Sequence, residues 1–147
     1  MPRRITLLGS TGSIGRSALK VVRTCPGRFE IVALAAHSNV AELTRQAAEF
    51  RPKYVAVTDE AAASELRAAG IRVEILAGPR ALEDAAALDT DLVLCGVVGA
   101  AGLRPILRAI GARHTIALAN KEPMIIAGRL ITSAARAAGV RILPVDS

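Results

Sequence analysis

Three observations in the sequence predict an α/β fold, doubly wound around a mostly parallel sheet with helices on both faces. Short apolar runs alternate with helix-length segments along the whole chain, the pattern of repeated strand–helix–strand units. The composition is 52% hydrophobic but only 2% aromatic. The core must therefore be built from Ala, Leu, Ile and Val, which suits a buried parallel sheet under small-residue helices. The first apolar run, residues 5–8, leads straight into Gly9-Ser10-Thr11-Gly12-Ser13-Ile14-Gly15. Such a turn brings backbone N–H groups to a phosphate with no Cβ in the way, and the helix it opens aims its positive end at the same place. The fold is thus expected to be Rossmann-like. The spacing is G-x-x-G-x-x-G, not the commoner G-x-G-x-x-G.

Strands are expected at 5–8, 31–35, 54–57, 73–76, 92–95, 115–118 and 141–145. The helix at 13–23 places Ile14, Ala18, Val21 and Val22 on one face at helical spacing. Further helices follow at 40–50 and 60–69, then one with Pro79 in its first turn, where the missing N–H costs little. The last two span 103–110 and 123–138, the second turning Ile126, Leu130, Ile131 and Ala134 inward. Linkers are short, so residues 1–147 read as one domain. The chain stops at Ser147 directly after a strand, and the expectation is a fragment of a longer protein.

No apolar run is long enough to span a bilayer, and the start shows no signal-peptide cleavage pattern. A cytoplasmic protein is expected. The net charge of +6 raises a nucleic-acid reading, but the basic residues are scattered (Arg16, Arg45, Arg67, Arg104, Arg129) and stacking aromatics are nearly absent. Solvated helix faces account for the charge, which can also help attract an anionic cofactor and substrate. Cys25 and Cys95 lack metal-ligand spacing and read as buried thiols.

In an open α/β sheet the ligand sits outside the carboxyl ends of the strands. That rule gathers Gly9, Ser10, Thr11, Gly12, Ser13 and Ile14 after the first strand and His37, Ser38 and Asn39 after the second. Asn120, Lys121 and Glu122 follow the sixth, and Asp146 and Ser147 the last. The first group reads as a pyrophosphate cradle. The second contains no carboxylate to bind a ribose 2′-hydroxyl, and its donors suit a 2′-phosphate, so NADPH is expected over NADH. A second glycine run, Gly96 to Gly102, lacks Ser and Thr and suits close backbone packing at least as well as phosphate binding. Asn120-Lys121-Glu122-Pro123 is an ordinary helix start, with Asn as cap and Glu in the first turn. Asp146 could ligate Mg²⁺ or Mn²⁺, but one carboxylate does not make a metal site.

Taken together, the first glycine turn, Val97-Val98-Gly99-Ala100-Ala101-Gly102-Leu103, Leu118-Ala119-Asn120-Lys121-Glu122 and Leu143-Pro144-Val145-Asp146-Ser147 resemble 1-deoxy-D-xylulose 5-phosphate reductoisomerases, in order and approximate spacing along the whole chain. The resemblance implies an enzyme of the methylerythritol phosphate route to isoprenoids. It would rearrange 1-deoxy-D-xylulose 5-phosphate on a divalent metal, Mg or Mn, and reduce the product with NADPH to 2-C-methyl-D-erythritol 4-phosphate. By position it implies cofactor contacts at Thr11, Gly12, Ser13, Ile14, Asn39, Asn120 and Glu122, and substrate contacts at Lys121 and Ser147. It also implies a metal ligand at Asp146, a phosphosugar substrate and a homodimeric parent. The chain departs from it where some members carry Gly-Lys-Asn and this sequence has His37-Ser38-Asn39, and where members often carry Ser and this one has Pro123. The family pattern continues Pro-Val-Asp-Ser-Glu-His, so this length alone is expected to bind cofactor without turning over substrate. The alternatives are a semialdehyde dehydrogenase type of reductase, whose cysteine nucleophile would lie outside this stretch, and a stand-alone nucleotide-sensing module without catalysis.

Overall fold

The computed structural model describes residues 1–119 and 121–145. Its strands are β1 (Arg3–Leu8), β2 (Phe29–Ala36), β3 (Tyr54–Val57), β4 (Glu74–Ala77), β5 (Leu92–Cys95), β6 (Thr115–Leu118) and β7 (Ile142–Pro144). They form one sheet in the order β4-β3-β2-β1-β5-β6-β7, and every neighbouring pair is parallel. The chain winds outward from β1 to β4, then crosses back to lay β5 on the other side of β1. The sheet therefore reverses its strand order between β1 and β5, where a crevice opens at the carboxyl ends.

The helices are α1 (Ser13–Thr24), α2 (Val40–Phe50), α3 (Glu60–Ala68), α4 (Ala81–Ala86), α5 (Leu103–Gly111) and α6 (Glu122–Ala138). They divide between the two faces as a doubly wound sheet requires. On one face Leu19 of α1, Leu43 and Ala47 of α2 and Leu66 of α3 pack with Leu7, Leu34 and Val55. On the other, Ala85 of α4, Ile106 and Ile110 of α5 and Ile131 of α6 pack with Leu8, Val93 and Ile116. The alternation of Leu7 and Leu8 between the two cores is the period-two geometry of a strand buried on both sides. At the amino end of the sheet Arg4 ties β1 to β5, with its guanidinium 3.0 Å from carboxylate oxygens of both Asp89 and Asp91.

Four expectations are corrected. Val21 is 55% exposed; the buried stripe of α1 runs through Gly15 and Leu19, and Val21 lines an open apolar groove of about 630 Å³ with Ile14, Ala18, Leu92 and Leu94. Pro79 lies outside its helix, since Arg80 is the N-cap and α4 begins at Ala81. Ile126 and Leu130 are 59% and 55% exposed: Ile126 precedes a departure from helical geometry at Ala127 (φ −142°, ψ 36°), and Leu130, beyond it, lies roughly 100° around the helix from Ile131. The break offsets the face of the first turn from the later one, which buries Ile131 and Ala135. Cys25 is only half-buried, whereas Cys95 is fully buried and its thiol is pushed up by burial. No described helix is long and apolar enough to cross a membrane.

Candidate functional site

Because all strands are parallel, their carboxyl ends share one rim, and the described candidates lie on it. At its centre the turn after β1 meets the turn after β5. Gly9 and Ser10 both donate their N–H to Ala35 O of β2, at 2.8 and 3.0 Å, while Gly96 N–H reaches back to Leu8 O at 2.9 Å. Gly9 has φ +84°, and a Cβ there would stand 3.0 Å from the Gly96 carbonyl carbon and oxygen. Only glycine meets both conditions. Gly15 serves a different contact. A Cβ on it would lie 2.6 Å from Ser10 Cα and 2.7 Å from Ser10 C, and closer still to Gly9 O. Its absence is what lets α1 sit directly on the turn.

The result is a helix N-terminus with exposed, unspent donors. Gly12 is the N-cap of α1 and carries no side chain to cap it, and the first turn holds no acidic residue. Among the described residues the N–H groups of Thr11 and Ser13 find no backbone acceptor. Gly12 and Ser13 are exposed, Thr11 and Ile14 partly so. Arg16, one turn along α1, adds a positive charge near enough to Glu42 to help depress its carboxyl. Main chain and dipole here suit an anion, in a cradle that side chains at Gly9 or Gly15 would fill. The residues present therefore fit a dinucleotide pyrophosphate. Ser10 is placed differently from its neighbours. It is fully buried, and its Oγ has no partner among the described residues.

The turn after β2 supplies a second polar cluster. His37, Ser38 and Asn39 are all exposed, and no carboxylate stands among them. Asn39 caps α2, its Oδ1 accepting from Glu42 N–H at 3.3 Å. Its amide nitrogen is left to donate elsewhere. His37 Nδ1 is hydrogen-bonded to Thr58 Oγ1 at the end of β3, and His37 O accepts from Asp59 N–H at 3.2 Å. Thr58 and Asp59 escaped the sequence reading because they belong to another strand end. Glu42 and Gln46 escaped it as well, although Asn39, Glu42 and Gln46 recur at helical spacing along one side of α2. Gln46 Nε2 donates both to Glu42 Oε1, at 3.2 Å, and to Ser10 O, at 2.9 Å. The Glu42 carboxyl is held below the usual carboxylate range, chiefly by the Arg45 guanidinium. The two turns are thus joined by one hydrogen-bonded track through α2.

The second glycine run is a packing device. Gly96 lets Ile14 approach, Gly99 adopts φ +73°, and a Cβ on Gly102 would meet Pro123 and the Cys95 sulfur at 3.4 and 3.5 Å. It seats the start of α6 against β5. Lys121 and Glu122 are exposed at that start, where Lys121 borders an open cleft of about 770 Å³ together with Leu118, Met124, Ile142, Pro144 and Val145. Asn120, Asp146 and Ser147 lie outside the described residues. Among the described residues no group of three His, Cys, Asp or Glu side chains could hold a metal ion.

Comparison with known proteins agrees with this geometry. The family model for 1-deoxy-D-xylulose 5-phosphate reductoisomerase matches residues 5–128. The reductoisomerase of Symbiobacterium thermophilum is 51% identical over 154 residues, an alignment covering 100% of this chain and 40% of that protein. A solved 1-deoxy-D-xylulose 5-phosphate reductoisomerase from Zymomonas mobilis, in complex with NADPH, superposes with a TM-score of 0.94 at 40% identity, covering 100% of this chain and 39% of that one. A DOX-P reductoisomerase in complex with NADPH, fosmidomycin and magnesium gives 0.90 at 38% identity over 97% of this chain and 36% of that one. The chain therefore spans about two fifths of the length of the relatives it matches. With its glycine turns meeting at the strand-order reversal and a family match across most of its length, the chain belongs to the 1-deoxy-D-xylulose 5-phosphate reductoisomerase family.

Proposed function

We propose that residues 1–147 are the NADPH-binding domain of an enzyme that converts 1-deoxy-D-xylulose 5-phosphate to 2-C-methyl-D-erythritol 4-phosphate. The observation that carries this is the uncapped N-terminus of α1 seated on the Gly9–Gly15 turn at the reversal of strand order. Bound there, NADPH would supply the hydride that reduces the rearranged substrate. Backbone N–H groups of Thr11 and Ser13 would hold its pyrophosphate, with Gly12 leaving the approach open. His37, Ser38 and the Asn39 amide would meet its 2′-phosphate, and Asn120 and Glu122 would contact it further along the rim.

Lys121 and Ser147 are proposed as substrate contacts and Asp146 as one ligand of the divalent metal. The described residues alone do not build a metal centre. The remaining ligands are assigned to the portion of the relatives that this chain does not cover, and the chain by itself is expected to bind cofactor without turnover. The same reading makes the enzyme a cytoplasmic homodimer acting on a phosphosugar, with neither nucleic acid nor membrane as a partner. Titration of the purified chain with NADPH and NADH, followed by calorimetry, tests it. Tighter binding of NADPH is expected. Equal affinity for the two would overturn the 2′-phosphate assignment, and turnover of 1-deoxy-D-xylulose 5-phosphate by the chain alone would overturn the division of labour.

A further inference from the structure

We infer that Gln46 is a positioning residue for the phosphate turn: by holding the Ser10 carbonyl it sets the direction in which Thr11 offers its N–H to the cofactor. The inference rests on the NADPH reading above. Gln46 lies 36 residues from Ser10 in sequence and is fully buried on α2, between Leu43 and Ala47 of the apolar face. A buried amide is costly unless it is hydrogen-bonded, and a leucine would pack there without that demand. Both Nε2 hydrogens are used, one on Ser10 O at 2.9 Å and one on Glu42 Oε1 at 3.2 Å. Gln46 Oε1 and Ser10 Oγ, both buried, have no partner among the described residues. The turn thus engages the donor end of the amide and leaves its acceptor end unused.

The geometry of the peptide unit turns this contact into a functional one. The Ser10–Thr11 peptide is trans and planar, so its C=O and N–H point in opposite directions. With the carbonyl held from the α2 side, the Thr11 N–H is directed away from α2, toward the open side of the turn. It finds no backbone acceptor among the described residues. The carbonyl of Gly9 is fixed differently, by accepting from Gly12 N–H at 3.3 Å within the turn itself. Among the described residues, Ser10 is the one residue of the turn whose carbonyl is held by a side chain from another element.

Gln46→Met keeps the length of the side chain and removes its donor. Binding of NADPH should weaken by about tenfold, the worth of one hydrogen bond that orients a charge-binding group. Adenosine 2′-monophosphate, which carries the 2′-phosphate and adenine but no pyrophosphate, should bind within about twofold of the unsubstituted chain. An unchanged NADPH affinity would overturn the inference, and so would equal losses for both ligands, which mark a merely structural role. The unsubstituted chain supplies a second measurement, independent of whether the variant folds. In nuclear magnetic resonance titrations NADPH should shift both the Thr11 amide and the Gln46 side-chain amide, while adenosine 2′-monophosphate moves neither. A Gln46 amide unmoved by bound NADPH refutes the assignment. Failure of the unsubstituted chain to bind NADPH at all instead removes the cofactor reading, and the inference with it.

Discussion

Replacing Gly15 by Ala adds a single methyl group to the first turn of α1, and its consequence can be worked out from the backbone. The added Cβ would stand 2.6 Å from Ser10 Cα and 2.7 Å from Ser10 C, about 1 Å inside ordinary contact between carbon atoms. The opposing atoms are main chain, and Ser10 is doubly anchored, through its N–H to Ala35 O and its C=O to Gln46. No side chain can rotate away, so α1 must lift from the turn. Overpacking of this kind costs about 3 kcal/mol, and for a chain of this size that lowers Tm by about 9 °C. Lifting the helix also withdraws its N-terminal amides from the cradle, so NADPH affinity should fall together with stability. Gly12→Ala is the matched control. Its Cβ would have Gly9 O at 3.6 Å as its nearest neighbour, and the change should cost under about 1 kcal/mol, the difference between Gly and Ala at an N-cap. Thermal unfolding followed by circular dichroism measures both. A Tm for Gly15→Ala within 2–3 °C (roughly 1 kcal/mol) of the unsubstituted chain would refute the reasoning.

Other perturbations separate the remaining parts of the structure. Gly111 ends α5 with nothing near an added Cβ, so Gly111→Ala should raise stability by about 0.5–1 kcal/mol in the same unfolding experiment. Asp89 and Asp91 are held low by Arg4, Glu42 by Arg45 and Glu49 by Arg23. Each folded pKa lies below its unfolded value, so the stability these groups contribute is present above about pH 4 and is lost as pH falls through the folded values. Tm measured against pH should therefore drop on the acid side. With a thiol-reactive reagent, half-buried Cys25 should react in the native chain, and fully buried Cys95 only after unfolding. His37→Ala should reduce the preference for NADPH over NADH by about tenfold, the low end of the value of a lost hydrogen bond to a charged group, leaving NADH binding unchanged in parallel titrations.

The elements that sequence disclosed are those whose signals are local. The glycine turn with its following helix, and the alternation of aliphatic runs, fix strand and helix positions through period and turn chemistry alone. The parallel sheet then places every strand's carboxyl end on one rim, so the candidate residues could be gathered before any coordinate was known. Local signals misled where packing overrode them. Ile126 and Leu130 fit a helical stripe with Ile131 and Ala134, but the break at Ala127 separates Ile126 from the rest, and beyond it the buried side runs through Ile131 and Ala135 and leaves Leu130 exposed. Gln46 and Thr58 were illegible for another reason. Each acts across the sheet on a residue at another strand's end, and only the fold brings it there. Gln46 did leave one trace: a polar amide between Leu43 and Ala47 on the buried side of α2 asks for a partner.

That partner joins two pieces that sequence treats as separate. Asn39 caps α2 through Glu42 N–H, the Glu42 carboxylate accepts from Gln46, and Gln46 donates to Ser10. The turn proposed for the 2′-phosphate and the turn proposed for the pyrophosphate therefore share one helix face as their common support. A dinucleotide spans both turns, and its affinity depends on how accurately their spacing is set before it arrives. A rigid helix, with one cap at its start and one buried amide two turns later, sets that spacing without contributing a ligand contact from its middle. Arg45 and Arg16 bear on the same carboxylate, which keeps Glu42 ionised and able to accept from the Gln46 amide throughout the neutral range. On this reading α2 is more than the crossover between β2 and β3: it is the strut between the two turns proposed to face the cofactor's phosphates.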